Sequence, residues 1–260
     1  IRNYIKGYPD HHAVETRWGD PLVGVASALD PLFNRFKRVI HGRHLLPRDL
    51  LPEARSVIVF YVPFAASLHR ENHKEEQFCS RGWAVAYIET NRLIAETCEH
   101  LKEKLTDLGN SVALIPPTHN FDRATLKSDW SHRHAAYAAG LGRFGWHNLL
   151  ITAQGCTGRL GSLVTDLELA PSPVPDHEYC LFKAGKACQK CVERCEFGAL
   201  RPDGFDRFAC HLQCRTNDSR FSDLPLTEIC GKCSALVPCS VMNPNPLMLS
   251  SGREPPLETK

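Results

Sequence analysis

An α+β fold followed by a small lobe built around cysteine ligands is what this sequence predicts, and three observations carry the reading. Segments of helical and of strand periodicity follow one another without repeating as β-α-β units. The run Arg55–Phe64 (RSVIVFYVPF) is β-branched and aromatic throughout, the composition of a central strand buried on both faces. Nine of the twelve cysteines fall within residues 180–239, far too dense a set for small buried apolar side chains.

The first fifty residues predict a lead-in with short helices: PLVGVASA (21–28), then an amphipathic LFNRFKRVI and a turn-rich stretch. His11, His12, His41 and His44 lack a helical i, i+4 placement with a carboxylate partner and read as solvated surface histidines. After the strand at 55–64, Trp83 to Leu108 places Val85, Ile88, Leu93, Ile94, Leu101 and Leu105 at helical spacing and ends at Gly109, a natural left-handed terminator. Cys79 and Cys98 read as small buried hydrophobes. SVALIPP (111–117) is a second strand stopped by its prolines, and Ser131 to Ala139 a second core helix. NLLITA (148–153) and RLGSLVTDLEL (159–169) are expected to pair with each other across a Gln154-Gly155 turn. APSPVPDHE (170–178) is a linker. The expected division is a core at 1–170, a cysteine module at 171–245 and an extended tail at 246–260.

The cysteines take two groups. Cys180, Cys188, Cys191 and Cys195 end in C-x2-C-x3-C, the close of the bacterial ferredoxin run, in which the fourth cysteine serves the other cluster. Crossing the final members gives Cys180, Cys188, Cys191 and Cys239 for one [4Fe–4S] cluster and Cys195, Cys210, Cys230 and Cys233 for the other, with Cys214 spare. A disulfide framework suits a small secreted domain and not a cluster inside a longer chain. A zinc site on Cys188, Cys191, Cys230 and Cys233 would leave the five neighbouring thiols without a role. The one departure from the ferredoxin run is Glu196, where proline is usual.

Gly140, Gly142 and Gly145 are spaced G-x-G-x-x-G, but the expected order of helix, glycines, strand is not that of a dinucleotide fingerprint. Two readings stay open: close approach of the backbone to a flat cofactor, or a helix cap and tight turn. A formal net charge of +2 argues against a polyanion-binding surface, so nucleic acid is not an expected partner. No apolar run approaches the roughly 20 residues of a membrane span, and no basic-then-apolar leader opens the chain. The expectation is a cytoplasmic protein.

Taken together, AAGLGRFGWHNLLIT, GSLVTDLEL, CGKC and the double cysteine module resemble the epoxyqueuosine reductase family, relatives of the reductive dehalogenases, from about Leu50 to Pro244. CLFKAGKACQKCVERC with CGKCSALVPC is most similar to an iron–sulfur branch of it. The resemblance implies a nitroreductase-like, cofactor-binding core holding cobalamin, then a ferredoxin-like module whose two [4Fe–4S] clusters pass electrons to cobalt for reduction of a small molecule. It places Gly140, Gly142, Gly145, His147 and Asn148 along the corrin, with Thr165 and Asp166 near it. A low-potential donor such as ferredoxin or flavodoxin would supply the electrons. The family's proton-donating pattern, Asp-Ser/Thr-x-Pro-x-x-Glu-Arg, is LKSDWSHR here: Leu126 stands at the acid's position and Arg133 is retained. Asp129 and His134, or His132, are the expected substitutes as proton donors. Two other readings accompany this one: a non-catalytic electron-transfer or cobalamin-carrying protein, and a flavin in place of the corrinoid.

Overall fold

The computed structural model describes residues 1–246, so the expected tail lies, after its first residue, outside the described residues. Helix α1 (Arg2–His11) precedes strand β1 (Leu22–Ser27), helix α2 (Pro31–Val39) and the single turn α3 (Pro47–Leu50). Strand β2 (Ser56–Pro63), helix α4 (Ala66–Lys74), the long helix α5 (Arg81–Asp107) and β3 (Val112–Leu114) follow. A small hairpin of β4 (Phe121–Asp122) and β5 (Lys127–Ser128) leads into α6 (His132–Ala138), β6 (Gly142–Phe144), β7 (Leu150–Thr152) and β8 (Gly158–Thr165). The cysteine-bearing part holds α7 (Lys190–Glu193), β9 (Leu200–Arg201), β10 (Gly204–Phe205) and α8 (Arg207–Arg220).

The main sheet is antiparallel in the order β1-β2-β8-β3. Every residue of β2 is buried, because helices cover both faces and alternate side chains serve each one. Val57 and Val59 pack with Phe33 and Phe36 of α2 and the alanines of α6. Phe60 and Val62 pack with Ile5 and Tyr8 of α1 and with Leu93 and Ile94 of α5. Each such apolar side chain, taken out of water, stabilises the fold by about 1.5–3 kcal/mol. Helix α5 begins where Ser80 Oγ accepts the Trp83 N–H, and it is followed by Gly109 at φ +80°.

Three expectations change. PLVGVASA, read as part of a helical lead-in, supplies the edge strand β1, its side chains alternating between partly and fully buried. Strand β7 does not pair with β8: it pairs with β6, Gly142 opposite Thr152, while β8 runs between β2 and β3. The cause is local. Thr152 and Gly155 exchange main-chain hydrogen bonds, which turns the chain away from β7, and Gly142 lets β6 close on β7 where a side chain would not fit. His44, expected in solvent, is 1% exposed and stacks on Trp130, its Nε2 accepting the Ser131 N–H.

The proline-rich linker is anchored. Ser172 exchanges hydrogen bonds with both main-chain groups of Val25, covering the free edge of β1. Beyond it the cysteine lobe docks on α4 and α5. Asn72 Nδ2 donates to Cys230 O, Asn217 Oδ1 accepts the Cys79 N–H, and Lys232, 1% exposed, donates from Nζ to Asn72 O and Glu75 O.

Candidate metal centre

Cys180, Cys188, Cys191 and Cys239 line one small cavity, closed by Trp146, Phe182, Val237 and Pro238. Three separate segments bring them there. Cys180 opens a turn in which its carbonyl accepts the Ala184 N–H; Cys191 lies in α7; Cys239 is held to the core by the Cys156 N–H, which donates to its carbonyl. Trp146 Nε1 donates to Arg201 O and ties the β6–β7 turn to the lobe. Burial pushes the Cys191 thiol up to about 12. Cys239 goes the other way, to about 5: the thiol of Cys156 donates to its sulfur, and His147 adds a second donor. The distances are 4.0 Å from Cys156 Sγ and 3.3 Å from His147 Nε2.

The second group gathers around α8. Cys210 and Cys214 stand one turn apart, so they share a face of that helix and their thiols act on one another. Cys230 and Cys233 flank Gly231, whose φ of +75° and contact with the Trp83 ring exclude a side chain. Cys195 Sγ accepts the Leu200 N–H at 3.2 Å. Burial pushes Cys230 up to about 12, and the nearby Cys210 and Cys195 add to it. Cys233 is raised by burial and then by Cys230, Cys210, Cys195 and Cys191, so the two groups stand within each other's field. Cys210 is lowered, first by the Cys214 thiol and then, against burial, by the charge of Arg133. All twelve cysteines are free thiols; Cys79 and Cys98 are buried, and burial holds each thiol at about 12.

The other residues expected at a site are placed apart from these sulfurs, with one exception. Gly140 and Gly142 abut the chain itself: a Cβ would stand 2.2 Å from Pro173 O and 2.0 Å from Ile151 O respectively. Gly145 meets the ring of His147, the exception, which lies against Cys239. Asn148 holds a turn at φ +59°, its carbonyl accepting from Arg133. Thr165 is buried at the end of β8, its hydroxyl donating to Ser111 O. Asp129 is exposed and faces His41 Nε2 at 3.5 Å. His134 packs against Phe36 and Phe144, its Nδ1 on Ser131 Oγ at 2.8 Å, and burial, with Arg133 and His44, holds it at about 3. No hydrogen bond or ion pair joins Asp129 to His134 among the described residues. His132 spans Ser162 Oγ and Pro116 O and is held by burial at about 4.

Sequence reasoning missed Cys156, remote from the cysteine run, although a twelfth thiol in a chain otherwise rich in ligands was a signal. It also missed a set of desolvated charged side chains outside the cysteines. Arg133 keeps solvent access yet is desolvated enough to pull its guanidinium down, and Arg159, also partly exposed and desolvated, sits over the Tyr87 ring at 4.4 Å. Glu228, its side chain 6% exposed, meets Arg123 at 3.2 Å, His119 at 3.4 Å and His211 at 3.7 Å.

This is an antiparallel α/β sandwich carrying a lobe of metal-binding composition. Compared with known proteins, the chain is 30% identical over 176 residues to an epoxyqueuosine reductase of Francisella cf. novicida, a match spanning 63% of this chain and 45% of that one. The matched region is thus less than half the length of that relative. A structure of epoxyqueuosine reductase from Bacillus subtilis superposes with a TM-score of 0.56 at 17% identity, covering 94% of this chain and 67% of that one. A catabolic reductive dehalogenase variant gives 0.57 at 16% identity, covering 84% and 30%. No family model matches. In sequence the chain is similar to that epoxyqueuosine reductase, and in fold to the two solved structures, in line with the resemblance its motifs carry.

Proposed function

We propose that the chain is a corrinoid-dependent iron–sulfur oxidoreductase that reduces a small molecule with electrons carried through two [4Fe–4S] clusters. The observation that carries the reading is the convergence of Cys180, Cys188, Cys191 and Cys239, from three segments, on one cavity. The second group offers Cys195, Cys210, Cys230 and Cys233, with Cys214 beside them. Buried neutral thiols at about 12 hold thiolate poorly, and a cationic cluster core supplies the charge that makes thiolates of them. Zinc needs four ligands, and these two groups offer nine sulfurs between them. The lobe is therefore read as a ferredoxin-like module and the sheet domain as a nitroreductase-like core.

Arg133, in the field of Cys210 and Cys233, stabilises negative charge on that group. Trp146, Phe182, Val237 and Pro238 give the other an apolar wall. A bound corrinoid would supply the low-potential metal chemistry that amino-acid side chains lack. Gly140, Gly142 and Gly145 do not offer it a face, being closed by Pro173, Ile151 and His147; corrinoid dependence is supported by the likeness to epoxyqueuosine reductases instead. Neither Asp129 nor His134 brings a proton to the cysteines. Of the second reading, a non-catalytic electron-transfer or cobalamin-carrying protein, the closure of the glycines favours the electron-transfer half. The donor in either case is a low-potential carrier such as ferredoxin or flavodoxin. No described helix is long and apolar enough to cross a membrane.

Anaerobic reconstitution tests the reading. Iron and acid-labile sulfide should each reach about eight per chain, and zinc in their place would sink it. Hydroxocobalamin retained through gel filtration, with turnover of a reducible substrate, supports the corrinoid enzyme. Clusters without corrin bands leave the electron carrier, and flavin bands would replace the corrinoid.

A further inference from the structure

Cys156 and His147 lie outside the eight proposed ligands, yet both reach one ligand sulfur. Nε2 of His147 is 3.3 Å from Cys239 Sγ and Cys156 Sγ is 4.0 Å from the same atom; the three atoms lie within 4.8 Å of one another. The imidazole is fixed in one tautomer. Its Nδ1 accepts the Leu149 N–H at 3.1 Å, so in the neutral ring the proton sits on Nε2 and points at sulfur. Gly145 clamps the ring from the side, since a Cβ there would stand 2.4 Å from His147 Cε1. Cys156 is held just as firmly: its N–H donates to Cys239 O at 2.9 Å, and its side chain is packed with Ile151 and Cys180. One N–H and one S–H therefore converge on a single sulfur.

We propose that His147 and Cys156 are positioning residues that raise the reduction potential of the cluster held by Cys180, Cys188, Cys191 and Cys239, by donating hydrogen bonds to the Cys239 sulfur without ligating iron. The inference rests on reading those four cysteines as cluster ligands. Four thiolates already complete a cubane, which leaves Cys156 no coordination site. An electron added to the cluster spreads negative charge onto its sulfurs, and a donor aimed at one of them stabilises the reduced form more than the oxidised form. His147 and Cys156 are 4% and 5% exposed, so both donors act from buried positions, where a hydrogen bond is electrostatically stronger than in water.

The test is a redox titration of the anaerobically reconstituted full chain, with dithionite as reductant and paramagnetic resonance of the reduced clusters as readout. His147→Phe keeps the ring's bulk and removes the donor. It should lower the potential of one cluster by about 59 mV, a tenfold change for one electron, leaving the other cluster and the iron content unmoved. Cys156→Ala should shift the same cluster the same way by less, since a thiol is a weak donor. His147→Gln, which restores an N–H, should recover part of the loss. Unchanged potentials in the Phe and Ala variants at full iron overturn the inference and leave the ligand reading standing. Iron lost from Cys156→Ala overturns it by making Cys156 a ligand. A wild-type chain that takes one zinc on His147, Cys156 and Cys239, and no iron, sinks both readings together.

Discussion

Gly142 crosses so close to Ile151 in the β6–β7 pair that a Cβ on the glycine would stand 2.0 Å from the Ile151 carbonyl oxygen. Main chain cannot swing aside as a flexible side chain can. Gly142→Val should therefore cost about 1–3 kcal/mol or more, read as a lower melting temperature with iron content falling alongside. Gly7, inside α1 with open space around it, is the contrasting position: Gly7→Ala should stabilise by about 0.5–1 kcal/mol. A Gly142→Val protein that melts like wild type would contradict the packing.

What the sequence made legible was set by local chemistry. The run at 55–64 announced a strand buried on both faces, and it is β2. Helix α5 follows its apolar spacing and stops at the expected glycine. β6 is only three residues long, Gly142–Phe144, too short for a strand alternation to be read, so nothing near Leu150 told that β6 would be its neighbour in place of β8. The glycines left two readings open because a missing side chain signals close approach without saying what approaches, and here it is the chain itself. Cys156 was invisible as a neighbour of Cys239 because only folding brings the two together.

Lys232 anchors the cysteine lobe through hydrogen bonds from its buried ammonium to Asn72 O and Glu75 O. Lys232→Met keeps the length of the side chain and strands two carbonyls, at a cost of roughly 1–3 kcal/mol each. Limited proteolysis should then cut within residues 180–239 sooner than in wild type, while the sheet domain survives. Equal protection in both proteins would remove Lys232 from the docking.

Stability should fall on the acid side of neutrality. His44, His132 and His134 are held chiefly by burial at about 4, about 4 and about 3, against about 6.5 when unfolded. The unfolded chain takes up protons that the folded one refuses, so stability complete above about pH 6.5 is lost as pH drops toward those folded values. Each buried histidine contributes a slope of up to about 1.4 kcal/mol per pH unit. Urea midpoints at pH 7, 6 and 5 should decline, and His134→Leu should flatten the decline by roughly one proton's share.

Cys210 and Cys214 should separate on mutation. Cys230 and Cys233 act on both thiols, but Arg133 acts on Cys210 alone of the pair, so Cys210→Ser should lose about four irons per chain. Cys214→Ser should keep close to eight. The reverse result would exchange their roles on α8.

Cys239 reaches the core through the main chain of Cys156, and in the proposed sets it shares a cluster with Cys180, far earlier in the chain. All of the other cluster's ligands lie between those two. During synthesis on the ribosome, then, the outer cluster cannot gain its fourth thiolate until everything belonging to the inner one has already emerged. The inner cluster could be loaded onto a nascent chain, whereas the outer one acts as a clasp, closed only after residue 239 has folded back onto the turn before β8.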